Sequence, residues 1–206
     1  MNTTERKEHW DHIYETKSLD SVSWYQPVPE TSLASIQKLN LPLDASIIDV
    51  GGGDSFLVDH LLVLGFTNIT VLDISSKAIE RAKERIGPKQ TQVNWIVSDV
   101  LNFTPTKSYQ LWHDRAAFHF LTEQKAIKTY QTIISKAVKP SGFAIIGTFS
   151  NKGPQKCSGI AIQQYSSQEL ITAFDSHFKK LACSEHIHIT PFDTEQAFTF
   201  CTFQKK

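Results

Sequence analysis

Four aspartates, Asp49, Asp73, Asp99 and Asp114, each fall at the end of a short apolar run, and only Val50 separates the first from Gly51-Gly52-Gly53. Glycines at such a place let the backbone approach a ligand closely and take positive φ. A helix N-terminus beyond them offers backbone N–H groups without intrahelical partners. A carboxylate 24 residues after Asp49, at Asp73, stands where it can accept hydrogen bonds from both hydroxyls of a ribose. Asp99 can reach an adenine amino group from the end of the next run.

The elements that must position these residues follow from periodicity. Ser46–Val50, Ile69–Leu72, Val93–Val97, Tyr109–His113 and Phe143–Thr148 read as strands. Helical patterns over Phe56–Leu64, Lys77–Ile86 and Thr122–Val138 separate the strands, with Gly65 as a C-cap and Ser75 as an N-cap. Thr31–Leu39 and a run from Ser166 or Ser167 to Phe174 add two more helices. Two β-rich stretches, Leu181–Ile189 and Ala197–Phe203, close the chain without a helix between them. This alternation predicts an α/β fold: a Rossmann-like, doubly wound, mainly parallel sheet of seven strands with an antiparallel C-terminal hairpin at one edge. Ligands in such a sheet bind at the carboxyl ends of the strands, where all four aspartates fall. Residues 1–206 are expected to form one domain, with 1–42 as a cap segment and helix and 43–206 as the core. Within the cap, the stretch through about Pro29 reads as diffuse, rich in charge and aromatics.

The pattern is selective about its ligand. A dinucleotide loop G-x-G-x-x-G would need glycine where Phe56 stands, and Asp54 would repel a diphosphate. No Gly-Lys-Ser/Thr follows, which excludes a Walker loop. A phosphate-free adenosyl ligand bearing a sulfonium cation and an amino-acid end, S-adenosylmethionine, suits a glycine-lined, carboxylate-rich edge.

These residues resemble the class I S-adenosylmethionine-dependent methyltransferases from about Ala45 to the C-terminus. Asp49-Val50-Gly51-Gly52-Gly53 looks like that family's first motif, although Ser55 stands where another glycine is common. Asp73-Ile74 is similar to its ribose motif and Ser98-Asp99-Val100 to its adenine motif. His113-Asp114 falls where the fourth motif lines the methyl-transfer site, and Lys139-Pro140-Ser141-Gly142 resembles the turn before strand five. The resemblance implies S-adenosyl-L-methionine as cofactor, held by Asp49, Gly51, Gly52, Gly53, Asp73, Ile74, Asp99, Val100 and His113. Two narrower likenesses point to different acceptors. His9-Trp10-Asp11, Tyr14 and Val22-Ser23-Trp24-Tyr25 resemble a segment of lysine methyltransferases acting on citrate synthase and elongation factors, which places Tyr14 and Trp24 over the cofactor. Trp112-His113-Asp114-Arg115-Ala116 resembles the W-D-R-G stretch of thiopurine and thiol methyltransferases.

Methyl transfer from a sulfonium needs collinear nucleophile, carbon and sulfur, and a general base only if the acceptor arrives protonated. Asp114, Arg115 and His119 are the catalytic candidates. His119 is either a base or a helix-surface or core histidine. Arg115 either binds a carboxylate of the acceptor or pairs with Asp114 or another local acid. Cys157, in the loop Ser150–Tyr165, is either part of a lid or a loop thiol without a role. Trp10, Tyr14, Trp24 and Tyr25 either cap the cofactor, form a cation-attracting wall or pack the N-terminal segment onto the core. His186 and His188 are expected on the solvated face of their strand. With 21 basic and 21 acidic side chains, no net positive charge invites nucleic acid. No apolar run is long enough to span a bilayer, and no segment of signal-peptide type opens the chain. The scattered Cys157, Cys183 and Cys201 suggest neither a disulfide nor a metal site, which fits a cytoplasmic enzyme. A small-molecule acceptor is expected, with a protein lysine or a non-catalytic adenosyl-binding role as alternatives.

Overall fold

The computed structural model describes residues 2–206. Seven strands form one sheet: β1 (Ile47–Val50), β2 (Ile69–Asp73), β3 (Val93–Val97), β4 (Tyr109–Arg115), β5 (Val138–Phe149), β8 (Phe178–Ile189) and β9 (Glu195–Lys205), in the order β3-β2-β1-β4-β5-β9-β8. The first five pair in parallel, and β9 runs antiparallel to both β5 and β8. This is the expected doubly wound sheet with its C-terminal hairpin at one edge. The order reverses at β1, so β1 and β4 flank the crevice in which such sheets bind ligands.

Both faces of β1 and β2 are buried, which is why they read as unbroken apolar runs. Helices α2 (Glu30–Gln37), α3 (Leu57–Val63) and α4 (Ser76–Ile86) cover one face, where Ile36, Leu57, Leu61 and Ile79 pack with Ile47, Val71 and Leu111. Helices α5 (Gln124–Ala137) and α6 (Ser167–Phe174) cover the other, around Trp112, Tyr130, Leu170 and Phe174. Capping is as the sequence indicated: the Ser75 hydroxyl accepts from Ala78 N–H, Ser166 and Glu169 form a capping box, and Gly65 leaves α3 with φ 91°. Between β5 and α6 a small antiparallel pair, β6 (Lys156–Cys157) and β7 (Ile160–Ala161), carries Cys157.

Three expectations need correction. The N-terminal stretch is not diffuse: Thr3–Thr16 is helix α1, opened by an Asn2–Glu5 capping box. It buries only Ile13 fully, so no apolar stripe announces it. Cys183 and Cys201 are not free: they stand opposite each other in the β8–β9 register and form a disulfide. His186 is exposed as expected, but His188 is buried, with Nδ1 bonded to Gln26 and Nε2 to the Ser23 carbonyl. The N-terminal segment lies across that face of the hairpin. Among the described residues, no helix is long and apolar enough to cross a membrane, and no cluster of metal-ligating side chains occurs.

Candidate active site

The glycine loop is shaped by contacts that leave no space for a side chain. Gly51 has φ 66°, and a Cβ there would lie 2.8 Å from the Ala117 Cβ. At Gly52 a Cβ would lie 2.5 Å from a carboxylate oxygen of Asp49. The loop therefore presents bare backbone toward a pocket that runs along the carboxyl ends of β3, β2, β1 and β4.

One end of the pocket is lined by Asp73, Ile74, Asp99 and Val100, and its middle by Asp49, Gly51, Gly52 and His113. Gly53 stands just behind, its Cβ position 2.7 Å from the Asp73 carboxylate. The far end is walled by Trp10, Trp24, Tyr25, Phe120, Arg115 and Cys157, with Tyr14 against Trp10 and Trp24. The fold thus brings all the cofactor candidates except Gly53 to the lining of one pocket.

Asp73 is buried, and its Oδ1 accepts from Ser75 N–H at 2.8 Å. Burial, reinforced by the nearby Asp49 and Asp11 charges, raises its pKa to about 7 against those hydrogen bonds. A carboxylate held at such cost suits a ligand that donates to it. Asp99 accepts from Leu101 N–H through Oδ1, while Oδ2 receives Thr3 Oγ1 at 3.0 Å and Arg6 at 2.5 Å. Asp49 holds His113 Nδ1 at 2.7 Å, and His113 Nε2 meets Ser32 Oγ at 2.9 Å. Both ring nitrogens are therefore engaged, and His113 acts as a fixed wall. Asp54, which would repel a diphosphate, is itself paired with Arg81 and Arg85.

The catalytic candidates separate. Asp114 faces away from the pocket into the core, where it accepts from Ala117 N–H, Phe118 N–H and the Tyr130 hydroxyl. Burial raises its pKa to about 6. Its role in this arrangement is to shape the turn after β4. Arg115 does not pair with Asp114: it lines the pocket, its Nη1 donating to the Trp24 carbonyl at 3.3 Å. His119 is fully buried and lies behind the pocket wall; its Nδ1 accepts from Phe149 N–H, so the neutral ring carries its proton on Nε2 and offers no lone pair for a base. Burial and the Arg115 charge press its pKa down to about 3. Cys157 does reach the pocket, but burial raises its thiol to about 11, so it stays neutral.

Several contributors escaped the sequence reading. Arg6 and Thr3 grip Asp99, Asp11 grips Ser75, and Ser32 grips His113. All but Ser32 lie on α1, whose existence was the missing signal; the Asn2–Glu5 spacing of a capping box was its one local mark.

Residues 47–142 match the family model described as a methyltransferase domain. The chain is 28% identical over 191 residues to human EEF1A lysine methyltransferase 2, covering 85% of this chain and 75% of that one. It is 30% identical over 105 residues to malonyl-[acyl-carrier protein] O-methyltransferase 2 of Ilyobacter polytropus, covering 50% of this chain and 39% of that one. In fold it matches the N-methyltransferase NodS of Bradyrhizobium japonicum, solved with S-adenosyl-L-homocysteine, with TM-score 0.69, 16% identity, and 95% and 97% of the two chains covered. The fold and the glycine-and-carboxylate pocket define a class I α/β enzyme that binds an adenosyl cofactor. The matched methyltransferase domain and these relatives support a class I S-adenosylmethionine-dependent methyltransferase, with S-adenosyl-L-methionine as its cofactor.

Proposed function

We propose that this chain methylates a small-molecule acceptor bound at the aromatic end of its pocket. The observation that carries this reading is the make-up of that end. Trp10 packs edge-on to Trp24 and Phe120 with ring centroids 5.7 and 5.3 Å apart, and these rings share the wall with Arg115 and Cys157. No carboxylate stands among them to pair with a lysine ammonium or take its proton, and the Arg115 charge on the same wall repels a cation. A flat, partly apolar acceptor that arrives with its nucleophile already unprotonated fits the wall.

The bound cofactor supplies an electrophilic methyl on a sulfonium. The chain's own residues supply position and dryness. Asp73 accepts from the ribose, Asp99 and Val100 border the adenine, and the Gly51–Gly52 backbone lines the amino-acid end. Tyr14 and Trp24 close over the cofactor with α1. With water excluded and the acceptor held in line, most of the rate comes from orientation. No side chain at this end serves as a base.

A second reading, transfer to a protein lysine, draws on the similarity to human EEF1A lysine methyltransferase 2 along 85% of the chain. Transfer of a tritiated methyl from S-adenosylmethionine separates the two. Label is expected in small molecules of a cell extract; label confined to protein bands would reverse the choice.

A further inference from the structure

Arg115 differs from the other arginines of the chain. Arg6 pairs with Asp99, Arg81 with Asp54, and Arg85 with Asp54 and Asp59. Among the described residues Arg115 has no carboxylate partner within 4.0 Å, although it is the arginine whose charge is most strongly penalised by burial, enough to lower its pKa to about 10. Its guanidinium lies over the Phe198 ring at 5.0 Å and donates through Nη1 to the Trp24 carbonyl. Its Nη2 is shut off from solvent with no acceptor. A second buried donor in this neighbourhood, His119 Nε2, also lacks an acceptor. The Cys157 thiol, the Trp24 carbonyl and the Phe198 ring beside this cation are neutral, and Asp49, whose charge also acts on it, lies beyond ion-pair distance and is bonded to His113. A buried guanidinium without a counter-ion is costly, and the turn that holds it is built firmly. Asp114 pins that turn through Ala117 N–H and Phe118 N–H, and Ala116 N–H donates to the Gly147 carbonyl at 2.8 Å.

We infer that Arg115 is the anchor for a carboxylate carried by the methyl acceptor, bound between the Trp24 backbone, the Phe198 ring and the Cys157 thiol. Planar guanidinium and planar carboxylate match in geometry as well as charge. The inference rests on the small-molecule reading and narrows it to acceptors that are anions. It also gives the aromatic wall a purpose: rings hold the body of the acceptor, and the cation sets which end points at the methyl.

The cofactor's own carboxylate is the other possible source of this chemistry, and the experiment distinguishes the two. The small-molecule pool of a cell extract is split on an anion exchanger, and each fraction is offered with tritiated S-adenosylmethionine. Label should enter the retained fraction. Arg115→Gln should raise KM for that fraction about 10- to 100-fold, the size of a lost charge-assisted hydrogen bond. Its affinity for S-adenosylhomocysteine should stay within about threefold. Arg115→Lys, which keeps the charge but not the planar fork, should recover part of the KM and serves where the glutamine variant does not fold. Label in the unretained fraction, or an unchanged KM, overturns the proposal while the small-molecule reading stands. Equal loss of S-adenosylhomocysteine affinity assigns the guanidinium to the cofactor and overturns it as well. Label only in protein overturns both.

Discussion

At the scale of single residues, the sequence conveyed three of the pocket's aspartates because they stand at strand ends, and strand ends are legible from apolar runs. Asp49, Asp73 and Asp99 all reach the pocket. Asp114 was grouped with them and does not, because side chains alternate along a strand. β4 continues through Arg115, and His113 pairs in register with Asp49. One residue further, Asp114 faces α5 and the Tyr130 hydroxyl, and one further still, Arg115 returns to the pocket. Parity decides which neighbour is a ligand contact, and a strand boundary uncertain by two residues hides it.

Asp73 yields a prediction at this scale. Its pKa is raised to about 7, chiefly by burial, and ribose hydroxyls donate best to the ionised form. The affinity for S-adenosylhomocysteine should therefore weaken as pH falls below 7, approaching tenfold per unit, and Asp73→Asn should be weaker throughout and flat with pH. Stability runs the opposite way. Since the folded pKa lies above the unfolded 3.8, the stabilisation from the bound proton is full below about pH 4 and is lost as pH rises through 7. Without cofactor, Asp73→Asn should thus gain on the parent across that window by a few kcal/mol. Calorimetric titrations and melts from pH 4 to 8 check both; a parallel pH dependence of parent and variant would sink the assignment.

At the scale of elements, α1 is where sequence and structure part most. It is a polar helix docked by polar contacts, so the apolar periodicity that reveals surface helices is weak in it. Its fastenings are specific. Asp11 Oδ1 receives the Ser75 hydroxyl at 2.6 Å, the same hydroxyl that caps α4, and Ser75 N–H in turn holds Asp73. Arg81 donates to the carbonyls of Tyr14 and Lys17, at or just beyond the C-terminal end of α1, where helix carbonyls lack partners. Arg6 reaches Asp99 at the other end. The helix thus ties Asp73, through Ser75, to Asp99 across the pocket mouth. Asp11→Ala should loosen this strap without touching the sheet. Loss of one such part-buried, charge-assisted hydrogen bond predicts about 5- to 30-fold weaker S-adenosylhomocysteine binding, mainly through faster dissociation. Amide exchange over residues 3–16 should quicken while β1, β2 and β4 keep their protection; unchanged exchange in that segment would show that Asp11 does not hold it.

At the scale of the whole molecule, the alternation of strands and helices was legible because each parallel strand is buried on both faces and each crossover helix is capped by residues of the expected kind. The disulfide was not, because motif spacing is the wrong guide to it. Cys183 and Cys201 are 18 residues apart, and only the β8–β9 register, with its shift between Lys180 and Ala182, sets them opposite. The bond ties the edge strand to β9, which in turn pairs with β5. β8 buries few residues of its own, so covalent attachment and ladder hydrogen bonds must hold it. Closing a loop of this length removes unfolded-state freedom corresponding to about 3 kcal/mol. Cys183→Ala should therefore melt several degrees below the parent under oxidising conditions, and reductant should bring the parent down toward the variant while leaving the variant where it was. The proposed cofactor end, with Asp49, Asp73 and Asp99, lies across the sheet on β1–β3, so S-adenosylhomocysteine affinity should stay within about threefold. His188, on the same strand, holds the Ser23 carbonyl, beside the segment that bears Trp24. The acceptor KM should thus respond to the loss of the bond before cofactor binding does. A variant whose melting point is unchanged and indifferent to reductant would show that the sheet edge is held by its ladder alone.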